Sequence, residues 1–204
     1  MSKGMSKGIT KENIVDVTLR LIRDKDNIRS VNLREIAREL GCAHTNLYNH
    51  FSDLDGILWD ASYEVLLRSC DFILSGIDSI ENSNSKLEVF YKRLIEFYLE
   101  NRGWFRLFWL EKLHGEIPES NKRLTSEIVE RYVDFLNILL EKLYNVKLDN
   151  GKTMYVFHTI DCYLHGEISK FISGRGLITE ENQFREYILR ECVKLTRLLT
   201  ISIE

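Results

Sequence analysis

Asn32-Leu33-Arg34-Glu35-Ile36-Ala37-Arg38-Glu39-Leu40-Gly41 and, after five intervening residues, Leu47-Tyr48-Asn49-His50-Phe51-Ser52-Asp53 are the stretch on which the fold turns. Asn32 followed three residues later by Glu35 has the pattern of a capping box, and Ile36 and Leu40 continue it at helical spacing. A helix is predicted from Leu33 to about Leu40, ended by Gly41, with a third short helix from Ala43 to about His50. Two short helices that cross steeply need a small residue where they touch, a glycine in the turn and an apolar residue beneath the second helix. Ala37, Gly41 and Leu47 fill those places, flanked by Ile36, Leu40 and Cys42. This leaves His44, Thr45, Asn46, Tyr48 and Asn49 on or near the open side. They are hydrogen-bonding types without a carboxylate, suited to base edges and phosphates. The bland alternative is a solvated short helix within an ordinary α-bundle.

Outward from this stretch the helical period persists. Thr10 caps a first helix through Ile14, Val17, Leu21 and Ile22 to Asp24, and Ser52 or Asp53 caps a long fourth one through Leu58, Val65 and Phe72, continuous to about Gly76. Asn82-Ser83-Asn84-Ser85 reads as a connection before Leu87, Phe90, Leu94 and Phe97, and Gly103 precedes the aromatic segment Trp104 to Leu113. Pro118 stands at a first turn ahead of Leu124, Ile128, Tyr132, Phe135, Leu139 and Leu143. The Leu148-Asp149-Asn150-Gly151 turn is expected to close that helix. Two more, about 152–173 and 180–201, are separated by Gly174-Arg175-Gly176. One proline and 11 glycines in 204 residues are too few for a many-stranded sandwich or barrel. The expected class is all-α, with about nine helices.

Apolar residues at 44% and charged residues at 29% exclude disorder for the bulk of the chain. No apolar run approaches the roughly 18 residues of a membrane span, and the N-terminus lacks a signal core, so a cytoplasmic protein with no membrane partner is expected. The doubled Met-Ser-Lys-Gly at residues 1–8 is set apart from the fold. Cys42, Cys70, Cys162 and Cys192 have no C-x-x-C spacing and read as reduced, individually buried thiols. Net charge is -3, yet residues 1–52 carry nine Lys/Arg against six Asp/Glu, which leaves 19 against 25 in the rest. The head is mildly basic and the body acidic.

The stretch from Asn32 to Asp53, with Ile57-Leu58 opening the fourth helix, resembles the TetR family of one-component transcription regulators; the Leu-Tyr-x-His-Phe run six residues past the turn glycine is its most specific part. The resemblance covers roughly residues 10–60. It implies an N-terminal three-helix helix-turn-helix DNA-binding head, residues 9–53, and a C-terminal helical ligand-binding and dimerisation bundle, residues 54–204. It further implies that Arg34 reaches a base or phosphate, that His44, Thr45 and Asn46 lie in the major groove with Asn49 beside them, and that Tyr48 and His50 face the phosphate backbone. Asn32, where the family usually has Thr, would cap its helix and touch a phosphate. Leu54 departs from the lysine commonly found there, which shifts weight to Lys3, Lys7 and Lys11, and Ala43 replaces the usual capping Ser. The implied partners are a double-stranded operator with an inverted repeat, a second copy of the chain in a homodimer, and a small-molecule effector that releases a repressor from DNA.

In the body, aromatic residues can wall an apolar ligand cavity, with Phe97, Trp104, Phe108, Trp109, Tyr132, His158 and Asp161 as candidate pocket residues. Plain core is the alternative for each. The last two helices look two-faced enough to pack on their own domain and on a partner. His158 and His165 are two turns apart, about 10.5 Å along a helix, too far to share one ion with Asp161 without distortion, so neither metal nor cofactor is expected. G-x-S-x-G, P-loop, H-E-x-x-H and dinucleotide fingerprints are missing, so an enzyme is the rival class without a motif to support it. A helical protein-interaction module without DNA affinity is the third reading. Retention on DNA with a steep salt dependence separates the regulator from both.

Overall fold

The structure, a computed structural model, describes residues 9–203. Residues 1–8, with Lys3 and Lys7 among them, lie outside the described residues. Among the described residues there is no strand, and no helix is long and apolar enough to cross a membrane. The α-helices are α1 (Lys11–Lys25), α2 (Leu33–Glu39), α3 (Leu54–Leu74), α4 (Ser83–Glu100), α5 (Arg102–Phe105), α6 (Glu119–Tyr144), α7 (Asn150–Ile172) and α8 (Glu181–Ser202). A six-residue 3₁₀ helix, His44–Asn49, makes the ninth principal helix. The all-α expectation therefore holds.

The chain forms two compact units, and the first is not continuous in sequence. It takes in the described residues up to Leu66 together with Asn101–Lys122; the second is Leu67–Glu100 with the remainder from Arg123. The cut thus falls inside α3, beyond the boundary expected at residue 53.

In the first unit, Thr10 caps α1 by accepting the Asn13 N–H, and Ile14, Leu19 and Ile22 line its fully buried face. Against this face lies α5. A Cβ at Gly103 would stand 2.4 Å from the Ile22 carbonyl oxygen, so only glycine lets the two backbones meet there. Next to it, the buried Trp104 donates its indole N–H to the Leu19 carbonyl at 2.8 Å. After α5 the backbone widens into a π-turn, Arg106–Leu110, closed by the Glu111 N–H on the Arg106 carbonyl. The segment is also tied to the start of α3, where the Trp59 indole donates to the His114 carbonyl and Asn121 donates to the Trp59 carbonyl.

The second unit packs α4, α7 and α8 together with most of α6. Each helix start is satisfied by a side chain ahead of it: Asn82 accepts the Ser85 N–H, Asp149 the Lys152 N–H, and Glu180 the N–H groups of Asn182 and Gln183. The Asp149 cap corrects the sequence reading, because Asn150 and Gly151 form the first turn of α7. The preceding helix is ended earlier, by Asn145 in the left-handed region (φ 55). Between α4 and α8 the buried hydroxyls of Tyr91 and Thr196 bond at 2.7 Å, and between α7 and α8 Phe171 stacks on Phe184 at 4.3 Å. The expectation of four buried thiols is met only at Cys70 and Cys192; Cys42 is half-buried and Cys162 is exposed, since its position on α7 faces outward.

Trp104→Ala should lower unfolding free energy by about 3–5 kcal/mol, through the cavity it leaves on α1. Gly103→Ala should cost about 1–3 kcal/mol by forcing the backbones apart. Denaturant titration followed by circular dichroism checks both; midpoints equal to wild type would contradict the packing of residues 101–122 on α1.

Candidate nucleic-acid interface

Asn32 has extended backbone, and its side-chain oxygen accepts the Glu35 N–H at 3.1 Å, which starts α2 and leaves the side-chain NH₂ as a donor toward solvent. The Glu35 carboxylate turns to Lys25 and Arg38, and Arg20 pairs with Glu39 at 3.0 Å. The Lys25–Glu35 and Arg20–Glu39 pairs tie α1 to α2, whose Ile36 and Ala37 are both buried. Gly41 then takes φ 68, and the Cys42 N–H reaches back to the Ala37 carbonyl at 2.9 Å. A Cβ at Gly41 would meet nothing within 4 Å, so the backbone angle alone demands glycine here.

The segment that follows is shorter and tighter than the α-helix expected from Ala43 to about His50. Ala43 supplies no side-chain cap, and six residues close as a 3₁₀ helix with the Asn46 N–H on the Ala43 carbonyl. Its anchor is Leu47, 1% exposed, and Phe51 just beyond is buried with the Lys11 ammonium 5.0 Å above its ring. His44, Thr45, Asn46, Tyr48 and Asn49 are exposed, Tyr48 at 52%. Asn32 and Arg34 are exposed as well, and His50 is half-buried. All eight candidate DNA-binding residues thus belong to the first unit, on α2, the 3₁₀ helix and their flanks.

Charge favours an anion at this surface. No carboxylate occurs from residue 40 to 52. The next ones are turned to backbone amides: Asp53 caps α3 by accepting the Gly56 N–H at 2.8 Å, and Asp55 faces the His114 N–H at 3.5 Å. Leu54 lies between them, half-buried.

The seven candidate pocket residues are divided between the units. Trp104, Phe108 and Trp109 belong to the first; Trp104 is core on α1, and Phe108 packs edge-on against Trp109 at 4.7 Å. Phe97, Tyr132, His158 and Asp161 belong to the second. Phe97 meets Tyr98, which meets the His165 ring, and His165 pairs with Asp161 at 3.2 Å. Tyr132 is buried between Phe90 and Phe157, 5.7 Å from each, and burial drives its phenol well above the usual range. His158 is apart from these, exposed beside Cys162.

A half-open cleft of about 520 Å³ in the second unit is lined by Leu74, Ile77, Phe135, Ile138, Lys86 and Arg131 among others, and includes none of the seven. Sequence reasoning missed it. The available signal was Ile138, 74% exposed, which lies off the buried face of α6 formed by Tyr132, Leu136, Leu139 and Leu140.

No family model matches the chain. An HTH-type transcriptional regulator of Haemophilus influenzae, itself uncharacterized, is 28% identical over 134 residues, 66% of this chain and 64% of the relative, somewhat under two thirds of that protein's length. Among solved structures, a protein of unknown function from Rhodococcus superposes with a TM-score of 0.77 at 14% identity, over 98% of this chain and all of that one. A TetR-family transcriptional regulator from Streptomyces coelicolor superposes with a TM-score of 0.68 at 15% identity, over 93% of this chain and 82% of its own. A TetR protein from Acinetobacter baumannii in complex with minocycline gives 0.65 at 15%, over 93% and 96%. A turn glycine with forced backbone, a buried leucine under a short polar helix and superposition on these structures over more than nine tenths of the chain lead to one conclusion: the chain has the fold of the TetR-family transcriptional regulators.

Proposed function

We propose that the chain is a ligand-responsive, DNA-binding transcriptional regulator, a homodimeric repressor that a small molecule releases from an inverted-repeat operator. The observation that carries this reading is the open, carboxylate-free face of His44–Asn49, held on the buried Leu47. His44, Thr45, Asn46 and Asn49 offer donors and acceptors of the kind that read base edges, Arg34 supplies donors for a base or a phosphate, and Asn32, Tyr48 and His50 supply donors for phosphates. In Asn32 the cap occupies the side-chain oxygen, so its NH₂ remains for a phosphate. The functional division we propose keeps the reading head at residues 9–53 and the effector and pairing functions in 54–204. The effector site is assigned to the second unit, since Trp104 serves the core of the first.

Pairing is assigned to α7 and α8, which expose Met154, Tyr155, Leu198 and Ile201. One short reading helix spans few base pairs, and a two-fold pair reading two half-sites roughly 34–36 Å apart supplies the missing affinity. The 21-residue α3, about 31 Å long at 1.5 Å per residue, is the proposed lever between effector and head. By linkage, the effector weakens DNA binding by the same factor by which DNA weakens effector binding.

Operator selection followed by binding titrations tests the reading. Asn46→Ala should change which sequence is preferred, whereas Tyr48→Phe combined with His50→Ala should weaken all sequences about equally. Absence of salt-dependent DNA retention by the wild type would reject DNA binding altogether. Leu54→Lys should raise affinity at fixed salt and steepen the slope of log K against log salt by about one, the signature of one added phosphate contact. Light scattering at tens of micromolar should give the mass of two chains, and a monomeric mass would refute the pairing.

A further inference from the structure

The cleft of about 520 Å³ in the second unit has the size of a small-molecule site, for which about 300–1,000 Å³ is usual, and no role proposed for the 3₁₀ helix or for α7 and α8 draws on it. One wall is a single stripe of α6. Arg131, Phe135, Ile138 and Lys142 follow at intervals of four, three and four residues, so they share one side of the helix, beside the buried Tyr132, Leu136 and Leu139. The stripe is apolar in the middle and cationic at both ends. Ile138, 74% exposed, has no equal among the large apolar residues in helices of the described chain, and next to it Phe135 is fixed by stacking on Phe90 at 5.4 Å. An isoleucine left in water on a concave wall is surface for an apolar ligand to bury.

The facing wall, Leu74 and Ile77, comes from the end of α3 and the connection to α4. It is pinned in place. Gly76 turns the chain at φ 62, Arg93 donates to the carbonyls of Ile73 at 3.0 Å and Ser75 at 2.6 Å, and Lys86 donates to the Asp78 carbonyl at 3.3 Å. A cleft built this way needs little ordering when a ligand enters. Charge then selects the ligand: Lys86, Arg131 and Lys142 line the cleft against Asp78 and Asp134, an excess of one cation, although residues 53–204 carry 19 Lys/Arg against 25 Asp/Glu. Asp78 already lies 3.9 Å from Lys86, whereas Arg131 and Lys142 form no ion pair among the described residues. Burial raises the Cys70 thiol of α3 and the Arg131 charge works against that rise, which sets the guanidinium on the α3 side of α6.

We propose that this cleft binds an amphipathic organic anion, with its carboxylate on Arg131 and its apolar body along Phe135 and Ile138, facing Leu74 and Ile77. The planar guanidinium matches a carboxylate with two parallel hydrogen bonds, which a lysine ammonium does not. Lys86 and Lys142 add attraction at longer range. Arg131 and Ile138 are seven residues, about 10.5 Å, apart along α6, so the body is a chain of medium length. The site lies within one unit of one chain, apart from all seven pocket residues expected from the sequence, and it depends on neither DNA binding nor pairing.

Full-length protein is titrated with decanoate, below its micelle concentration and at physiological salt, by isothermal calorimetry. The expected result is saturation at one decanoate per chain, with decanol, which lacks the charge, and acetate, which lacks the body, each weaker by about tenfold or more. Arg131→Ala should weaken decanoate by about 10–100-fold, the loss of a hydrogen-bonded charge, and Arg131→Lys should restore part of it. Ile138→Glu should weaken it by about tenfold or more, by setting a carboxylate against the apolar body. Both positions are exposed, and unchanged circular dichroism verifies that the variants are folded. His158→Ala, exposed elsewhere in the same unit, should bind like wild type. No saturable binding, several decanoates per chain, or one-site binding unchanged in both Arg131→Ala and Ile138→Glu overturns the site, and decanol binding as tightly as decanoate overturns the anion. None of these outcomes touches the regulator reading, which retention on DNA decides.

Discussion

The contact between two pieces of backbone at Ile22 and Gly103 governs the first unit. No side chain fits between them, and the Trp104 indole locks the approach by bonding the carbonyl one turn earlier on α1. From there the dependence is sequential. α1 carries α2 through the buried Ile14, Leu19, Ile22 and Ile36, each contributing roughly 1.5–3 kcal/mol. The ion pairs Arg20–Glu39 and Lys25–Glu35, which bridge α1 and α2, add less, about 0–1 kcal/mol each for partners in contact with solvent. α2 carries Gly41, and Gly41 delivers Leu47. A six-residue 3₁₀ helix without a cap has no stability of its own, so the polar face it presents is held in place by the core below.

Much of this was legible in the sequence because it is local. Asn32, Ala37, Gly41 and Leu47 lie within 16 residues, and each has a role that follows from cap chemistry, crossing distance, backbone angle or burial. The caps Thr10 and Asp53 were legible for the same reason. Asn150-Gly151 misled, because the dipeptide is at home in turns, yet the aspartate ahead of it satisfies a helix start. The 3₁₀ form of His44–Asn49 is set by hydrogen-bond register, which side-chain periodicity over six residues does not resolve.

The placement of the aromatics was not legible, for a different reason. Trp104, Phe105, Phe108 and Trp109 stand in a run whose composition suits a cavity wall or a core equally well. The choice is made 85 residues away, by an α1 whose backbone comes close enough to accept an indole N–H. Gly103 was the available hint: beside a tryptophan it permits close approach, although glycine serves equally as a separator. Tyr132, in contrast, kept the burial that its spacing on α6 foretold.

The discontinuity of the first unit has a consequence for synthesis. A ribosome delivers α1, α2 and the 3₁₀ helix first, but their partner, Asn101–Lys122, follows only after 34 further residues that belong to the other unit. Until then the face of α1 that receives Trp104 is uncovered, and the polar face of the 3₁₀ helix rests on an incomplete support. The first unit therefore closes only after Asn101–Lys122 has been made, so its completion waits on a segment synthesised after Leu67–Glu100 of the other unit rather than on the emergence of the helix-turn-helix stretch itself.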